Sequence, residues 1–199
     1  MKVYKFEEIL NDLMDYFILG DPEYLFQYKE LKKLPDDLLT EFTTNDTADE
    51  AVEQGVIVPM IGVENYPYRI YFNLSNEIPV LSKQGNQLQH KKDGYCLRIK
   101  NGELYLYTMP YLKNFVKETL NSLKSNELLF PSQFLAGRCE NPRIKIENGW
   151  YSVSILAGLS KETNDKNENF EPTYEFLIKK ADDKPNYNGD FLYKFIIEN

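Results

Sequence analysis

The chain has 199 residues, 42% hydrophobic and 27% charged, with a net charge of −8 and an isoelectric point near 4.9. That length and composition suit one large globular domain with a proper core, and the negative charge argues against a phosphate-backbone binder, which needs clustered Lys and Arg. One histidine, two distant cysteines and no apolar run near the roughly 18 residues of a membrane span argue against a His-rich metal centre, a disulfide framework and a transmembrane protein.

The apolar residues Phe6, Ile9, Leu10, Leu13, Met14 and Phe17 recur at helical spacing with Glu8, Asp12 and Asp15 opposite, which predicts an amphipathic helix over residues 6–18. Glu7, Glu8, Asp12 and Asp15 also interrupt the apolar run that a signal peptide would need, so a cytoplasmic protein is expected. Asp21 followed by Pro22 reads as the cap and first position of a second helix, running to about Lys33 and ended by Pro35. Residues 36–46 read as a linker. Thr47 and Glu50 then form a capping-box pattern for a short helix stopped at Gly55.

From there the chain turns to branched and aromatic residues, with strands predicted in "VIVPMI" and "YPYRIYFNL". In "YCLRIKNGELYLYT", Asn101 and Gly102 join two alternating runs, the pair a type I′ hairpin favours. A third helix is predicted over residues 111–123. Asn148 and Gly149 in "PRIKIENGWYSVSILAG" predict a second hairpin, whose return strand holds the single Trp at the centre of a sheet. After a polar loop, "TYEFLIKK" and "FLYKFII" read as closing strands. About seven strands behind a helical start predict a mainly β, α+β fold: an antiparallel β-sandwich or strongly curved sheet. Residues 1–45 form an acidic helical part and residues 46–199 a β domain with one inserted helix, the whole a single compact unit.

The chemistry-bearing residues offer little for catalysis. His90, the only histidine, reads as a solvated loop residue; a dyad with Cys139, its thiol activated by Arg138, requires a convergence in space that no spacing implies. The loop from Asp165 places Asn167 and Asn169 like the start of a calcium loop, but Phe170 stands where Gly is required and Phe176 where Glu is. There is no GxGxxG and no Walker loop, and no pair of carboxylates is singled out. The reading is a non-enzyme, with no cofactor and no metal.

Charge is unevenly placed. Residues 1–54 hold 14 acidic and 5 basic side chains, residues 55–199 hold 17 and 18. Asp36, Asp37, Glu41, Asp46, Asp49, Glu50 and Glu53 span a linker and a short helix with no Lys or Arg among them, and charge of one sign steers a partner of the other. Each tyrosine of "ENYPYRIYF" and "ELYLYTMPY" is most simply a sheet-face residue. Together Tyr66, Tyr68, Tyr105 and Tyr107 join Asp36, Asp37, Asp46, Asp49, Glu50 and Glu53 as candidate partner contacts.

The order "TADEAVEQG", an apolar strand, "GYCLRIKNGELYLYT", "IKIENGWYSVSILAGL", a polar loop and "TYEFLIKKAD", over residues 46–183, resembles two linked groups of small bacterial proteins. One includes the inhibitor of the DNA-uptake nuclease of competent bacilli, with a similar "DEA" helix ending in Gly. The other comprises toxin-immunity proteins, in which a Gly-aromatic-Tyr strand, here Gly149, Trp150 and Tyr151, precedes a polar loop and a closing strand. The two N-terminal helices and the helix after Tyr111 have no counterpart in that order. The resemblance implies an antiparallel β-fold that neutralises a toxin by occluding it, with the Gly-Trp-Tyr stretch as scaffold. The expected partner is a cognate protein toxin, a basic nuclease in the first instance. The competing expectation is a carbohydrate or small-ligand binding β-sandwich whose aromatics line a groove.

Overall fold

The computed structural model describes residues 2–9, 16–125, 141–161 and 169–198. The N-terminal apolar run forms strands within them, not the predicted helix: β1 (Val3–Ile9) and β2 (Tyr16–Gly20). Phe17, Ile18 and Leu19 of β2 are all buried, because Phe17 and Leu19 enter one core and Ile18 another. A strand covered on both faces loses the polar alternation that separates period 2 from period 3.6, so a short apolar run fits either template.

Three helices follow: α1 (Pro22–Lys32), α2 (Leu38–Thr44) and α3 (Thr47–Glu53). α1 starts as predicted, with the Asp21 carboxylate accepting from the Tyr24 amide at 3.1 Å. The predicted linker is instead α2, whose N-cap is Asp37. The box predicted for α3 does not form: Asp46 holds the cap position without a capping bond, and the Thr47 hydroxyl donates to Glu41 at 3.1 Å.

The remaining elements are β3 (Ile57–Ile61), β4 (Tyr68–Asn73), β5 (Gln87–Ile99), β6 (Glu103–Thr108), α4 (Lys117–Ser125), β7 (Arg143–Lys145), β8 (Gly149–Ser160) and β9 (Glu171–Ala181). They build a five-stranded sheet, β1-β4-β9-β8-β5, and a four-stranded sheet, β3-β2-β6-β7. All pairings are antiparallel except β4 with β9. The fold is mainly β with a helical part, as expected. Trp150 lies on β8, an inner strand of the larger sheet.

Neither Asn-Gly pair makes a hairpin. β5 pairs with β8 in the larger sheet and β6 with β2 and β7 in the smaller, so the chain crosses between sheets at Asn101–Gly102 and again at Asn148–Gly149. A type I′ turn needs positive φ at both central residues; Gly102 has it, at 74°, but among the described residues Lys33 is the only non-glycine that does. The first crossing is tied down from outside, the Asp21 carboxylate accepting from the amides of Lys100 (2.9 Å) and Asn101 (2.8 Å). The two crossings also bond each other, Gly102 N donating to the Asn148 side chain at 2.8 Å.

The result is three layers. Alternate residues of the smaller sheet, such as Val58, Met60, Leu104 and Leu106, face the larger sheet and share a core with Ile70, Phe72, Val153, Ile155 and Phe176. The intervening Ile57, Tyr105 and Tyr107 face α1 to α4, packing on Leu25, Leu38, Val52 and Leu120. "FLYKFII" is not a sheet strand. The C-terminal segment runs along the free edge of β5, where His90 bonds the Tyr193 hydroxyl (2.7 Å) and the Ile196 carbonyl (2.6 Å), and touches β3 through one bridge between Ile61 and Lys194.

Candidate functional site

α1, α2 and α3 bring the N-terminal carboxylates together and sort them into two kinds. Lys29, its side chain only 4% exposed, donates to Asp36 at 2.5 Å and to Glu30 at 3.3 Å. Burial works to depress its ammonium pKa, and these bonds outweigh that and raise it. Lys32 pairs with Glu50, which also accepts from Gln54 at 2.7 Å; the Lys32 bond is the main cause holding the Glu50 carboxyl below its ordinary range. Asp37 accepts from the Thr40 amide (3.0 Å) and hydroxyl (2.7 Å), and those bonds, the amide's first, depress its pKa. The acidic cluster is therefore not uncompensated throughout, as its sequence suggests: α1 supplies lysines to Asp36 and Glu50 from outside it.

The second kind consists of Glu41, Asp46, Asp49 and Glu53. Glu41 accepts only from the neutral Asn45 and Thr47 side chains, and none of the four has an ion-pair partner among the described residues. Asp46, Asp49 and Glu53 are exposed.

Of the four candidate tyrosines, three leave the surface. Tyr105 and Tyr107 are fully buried under the helices, where burial raises their phenol pKa values. Tyr68 is buried between the sheets against Tyr174, their rings 4.9 Å apart, and burial pushes it up to about 12. An edge or face position selects Tyr whether its ring points to solvent or to a second layer, and here a second layer covers it. These three tyrosines are therefore not surface contacts for a partner or a sugar. Tyr66, 42% exposed, sits in the β3–β4 connection and shares no hydrogen bond with the acidic helices.

His90 is engaged by the C-terminal segment, while Cys139, Arg138, Asp165 and Asn167 lie outside the described residues, and Asn169 is exposed. Among the described residues no group of three or more His, Cys, Asp or Glu side chains could hold a metal, and no helix is long and apolar enough to cross a membrane.

Sequence reasoning missed an apolar groove of about 230 Å³, partly open to solvent, beside these helices. Its lining includes Phe42 of α2, Ala48 of α3, Pro59 of the edge strand β3, Leu112, and Phe191 and Leu192 of the C-terminal segment. These segments are scattered between Tyr16 and Leu192, so no local pattern marks the groove. Pro59 fits an edge strand because no partner strand there needs its missing amide.

No family model matches the sequence, and no curated protein matches it. The fold is similar to two solved structures: ComJ from Bacillus subtilis, described as an inhibitor of the DNA-degrading activity of NucA, and a protein described as crocagin biosynthetic gene J. The first shares 12% identity at a TM-score of 0.44 over 91% of this chain and 96% of the other. The second shares 10% at 0.42, over 88% and 96%.

Proposed function

We propose that the protein is an inhibitor or immunity protein that binds a basic protein toxin, of the nuclease kind, and silences it by steric occlusion. The observation that carries this reading is the unpaired set Glu41, Asp46, Asp49 and Glu53 on two consecutive short helices, left after α1 has neutralised Asp36 and Glu50. Charges of one sign on one surface accelerate encounter with a partner of the opposite sign and fix its orientation. The nuclease class of the partner comes from the resemblance in element order over residues 46–183. Occlusion asks no residue of this chain to react.

The test has two steps. The protein is used to capture partners from a native lysate under a salt gradient, and a captured protein is then assayed for loss of its own activity on adding this one. In a complex so defined, D46K/D49K/E53K should slow association about tenfold or more at low salt and flatten its salt dependence, with little change in dissociation. Unchanged association would remove these helices from the interface. An empty column with folded bait would end the inhibitor reading.

A further inference from the structure

The apolar groove and the unpaired acids occupy the same part of the molecule. Asp46 lies in the chain between Thr43 and Ala48, both lining the groove, and Asp49 follows Ala48. In the C-terminal segment Asp190 precedes Phe191, which also lines the groove, and the Asp190 carboxylate accepts from the amide of Leu192 at 3.0 Å. Tyr187 packs against the same helical core as Phe42, Ala48 and Phe191. Its phenol is pushed up to about 12, by burial first and then by Cys96, Asp190, Asp49 and Glu53. Lys194 stands further along the C-terminal segment, beside Gly62.

The groove is lined by apolar side chains, and Leu192 stands 68% exposed on its lip. A recess of this kind takes a large apolar side chain, and interfaces concentrate their binding energy where such an anchor enters a pocket. A neutral ligand would leave unused the carboxylates that neighbour the lining residues in the chain, whereas a cationic segment satisfies both features at once. We propose that the groove between α2–α3 and the C-terminal segment receives one large apolar side chain, flanked by lysine or arginine, from the basic protein partner. The inference rests on the inhibitor reading and deepens it by naming what the partner must present.

Methyl-labelled protein is titrated with three pentapeptides: phenylalanine flanked by two lysines on each side, alanine in the same frame, and phenylalanine flanked by glutamates. The phenylalanine–lysine peptide should shift the methyls of Ile57, Met109 and Leu112, bind about tenfold or more tighter than the alanine peptide, and weaken with salt. The glutamate peptide should not bind. A48L, which fills the groove from a partly exposed position, should abolish the preference for phenylalanine. D46N/D49N should weaken both lysine peptides equally and keep that preference.

Equal binding of the phenylalanine and alanine peptides, with no shift at the groove methyls, would overturn the anchor and leave the acidic face of the inhibitor reading standing. Equal binding of the lysine and glutamate peptides would make the groove a site for neutral apolar ligands and overturn the charge half. No response to any peptide overturns the inference, while the inhibitor reading is judged separately by capture and loss of the partner's activity.

Discussion

The smaller sheet turns one face to the larger sheet and the other to the helices, and the two faces are finished differently. Towards the larger sheet, aromatic rings meet at their edges, Phe17 with Tyr174 and Phe72 with Phe176, and the buried Tyr174 hydroxyl donates to the Phe195 carbonyl at 2.7 Å. Towards the helices, the Tyr107 hydroxyl is buried with no hydrogen-bond partner among the described residues, and a groove stays open. α2 and α3 have seven residues each, too short to hold helical form without tertiary support. The paired sheets are thus a scaffold, and the helical layer packs on it through its own apolar core and is fastened by a small number of polar ties. The proposed partner surface lies on this layer of short helices, and binding elements are commonly drawn from the less stable parts of a fold.

The strongest of those ties is Asp21. Its carboxylate is 1% exposed, caps α1 and receives the amides of Lys100 and Asn101, so it fastens the helical layer to the crossing between the sheets. D21A should cost about 2–4 kcal/mol in urea unfolding, from a lost cap plus amides left unsatisfied in a buried place. A cost below about 1 kcal/mol would mean that the two layers do not depend on each other here. D21N, which retains one accepting oxygen, should fall between.

A matched pair of tyrosines tests the contrast between the faces directly. Y174F removes a hydroxyl that satisfies the Phe195 carbonyl and should cost about 1–2 kcal/mol. Y107F removes a hydroxyl that satisfies no group among the described residues and should fall within about 0.5 kcal/mol of neutral, or stabilise. Equal costs would show that the Tyr107 hydroxyl is bonded to an internal water and that the helical face is as well satisfied as the other.

What the sequence made legible follows from how local each signal is. Asp21–Pro22 at the start of α1 and Gly55 after α3 were readable because caps act within a few residues. β8 and β9 were readable because Tyr151, Val153 and Ile155 alternate towards one core. β2 was not, since a strand buried on both faces mimics a helical stripe; β1 does alternate, Tyr4 and Phe6 half-buried against exposed Lys5 and Glu7, but its Phe6 and Ile9 also fit the helical spacing of the apolar run that follows. The two Asn-Gly crossings failed as hairpins because a glycine turn specifies a change of direction but not which sheet the next strand joins; Asp21, some 80 positions away, takes part in that choice. At the site, the acidic run was legible as charge, but its neutralisation by Lys29 and Lys32 depends on how α1 lies against α2 and α3. The burial of Tyr68, Tyr105 and Tyr107 depends on the layer count in the same way.

The smallest expected effect concerns the tie at the far end of the helical layer, where Glu23 of α1 accepts from Lys117 (3.2 Å) and Lys124 (3.1 Å) of α4. Partial burial raises the Glu23 pKa, and the bonds from Lys124 and Lys117 outweigh it, leaving the carboxyl below its ordinary value of 4.5. A depressed folded-state pKa gives stability that is present above the unfolded value and lost as pH falls through the folded one. Lys124 works in the opposite sense: its bond to Glu23 raises it above 10.5, so its contribution holds below that value and is lost as pH rises through the folded one. The α1–α4 contact should be intact between these limits and loosen below about pH 4.5, by no more than about 1 kcal/mol because the lysines are solvent-screened. Comparing wild type with E23Q by amide exchange at matched pH isolates the tie. The two should differ at neutral pH and converge in acid, with the difference confined to α1 and α4. A difference spread equally over β8 and β9 would mean that the helical layer and the sheets unfold as one unit, and the contrast between the two faces would lose its energetic meaning.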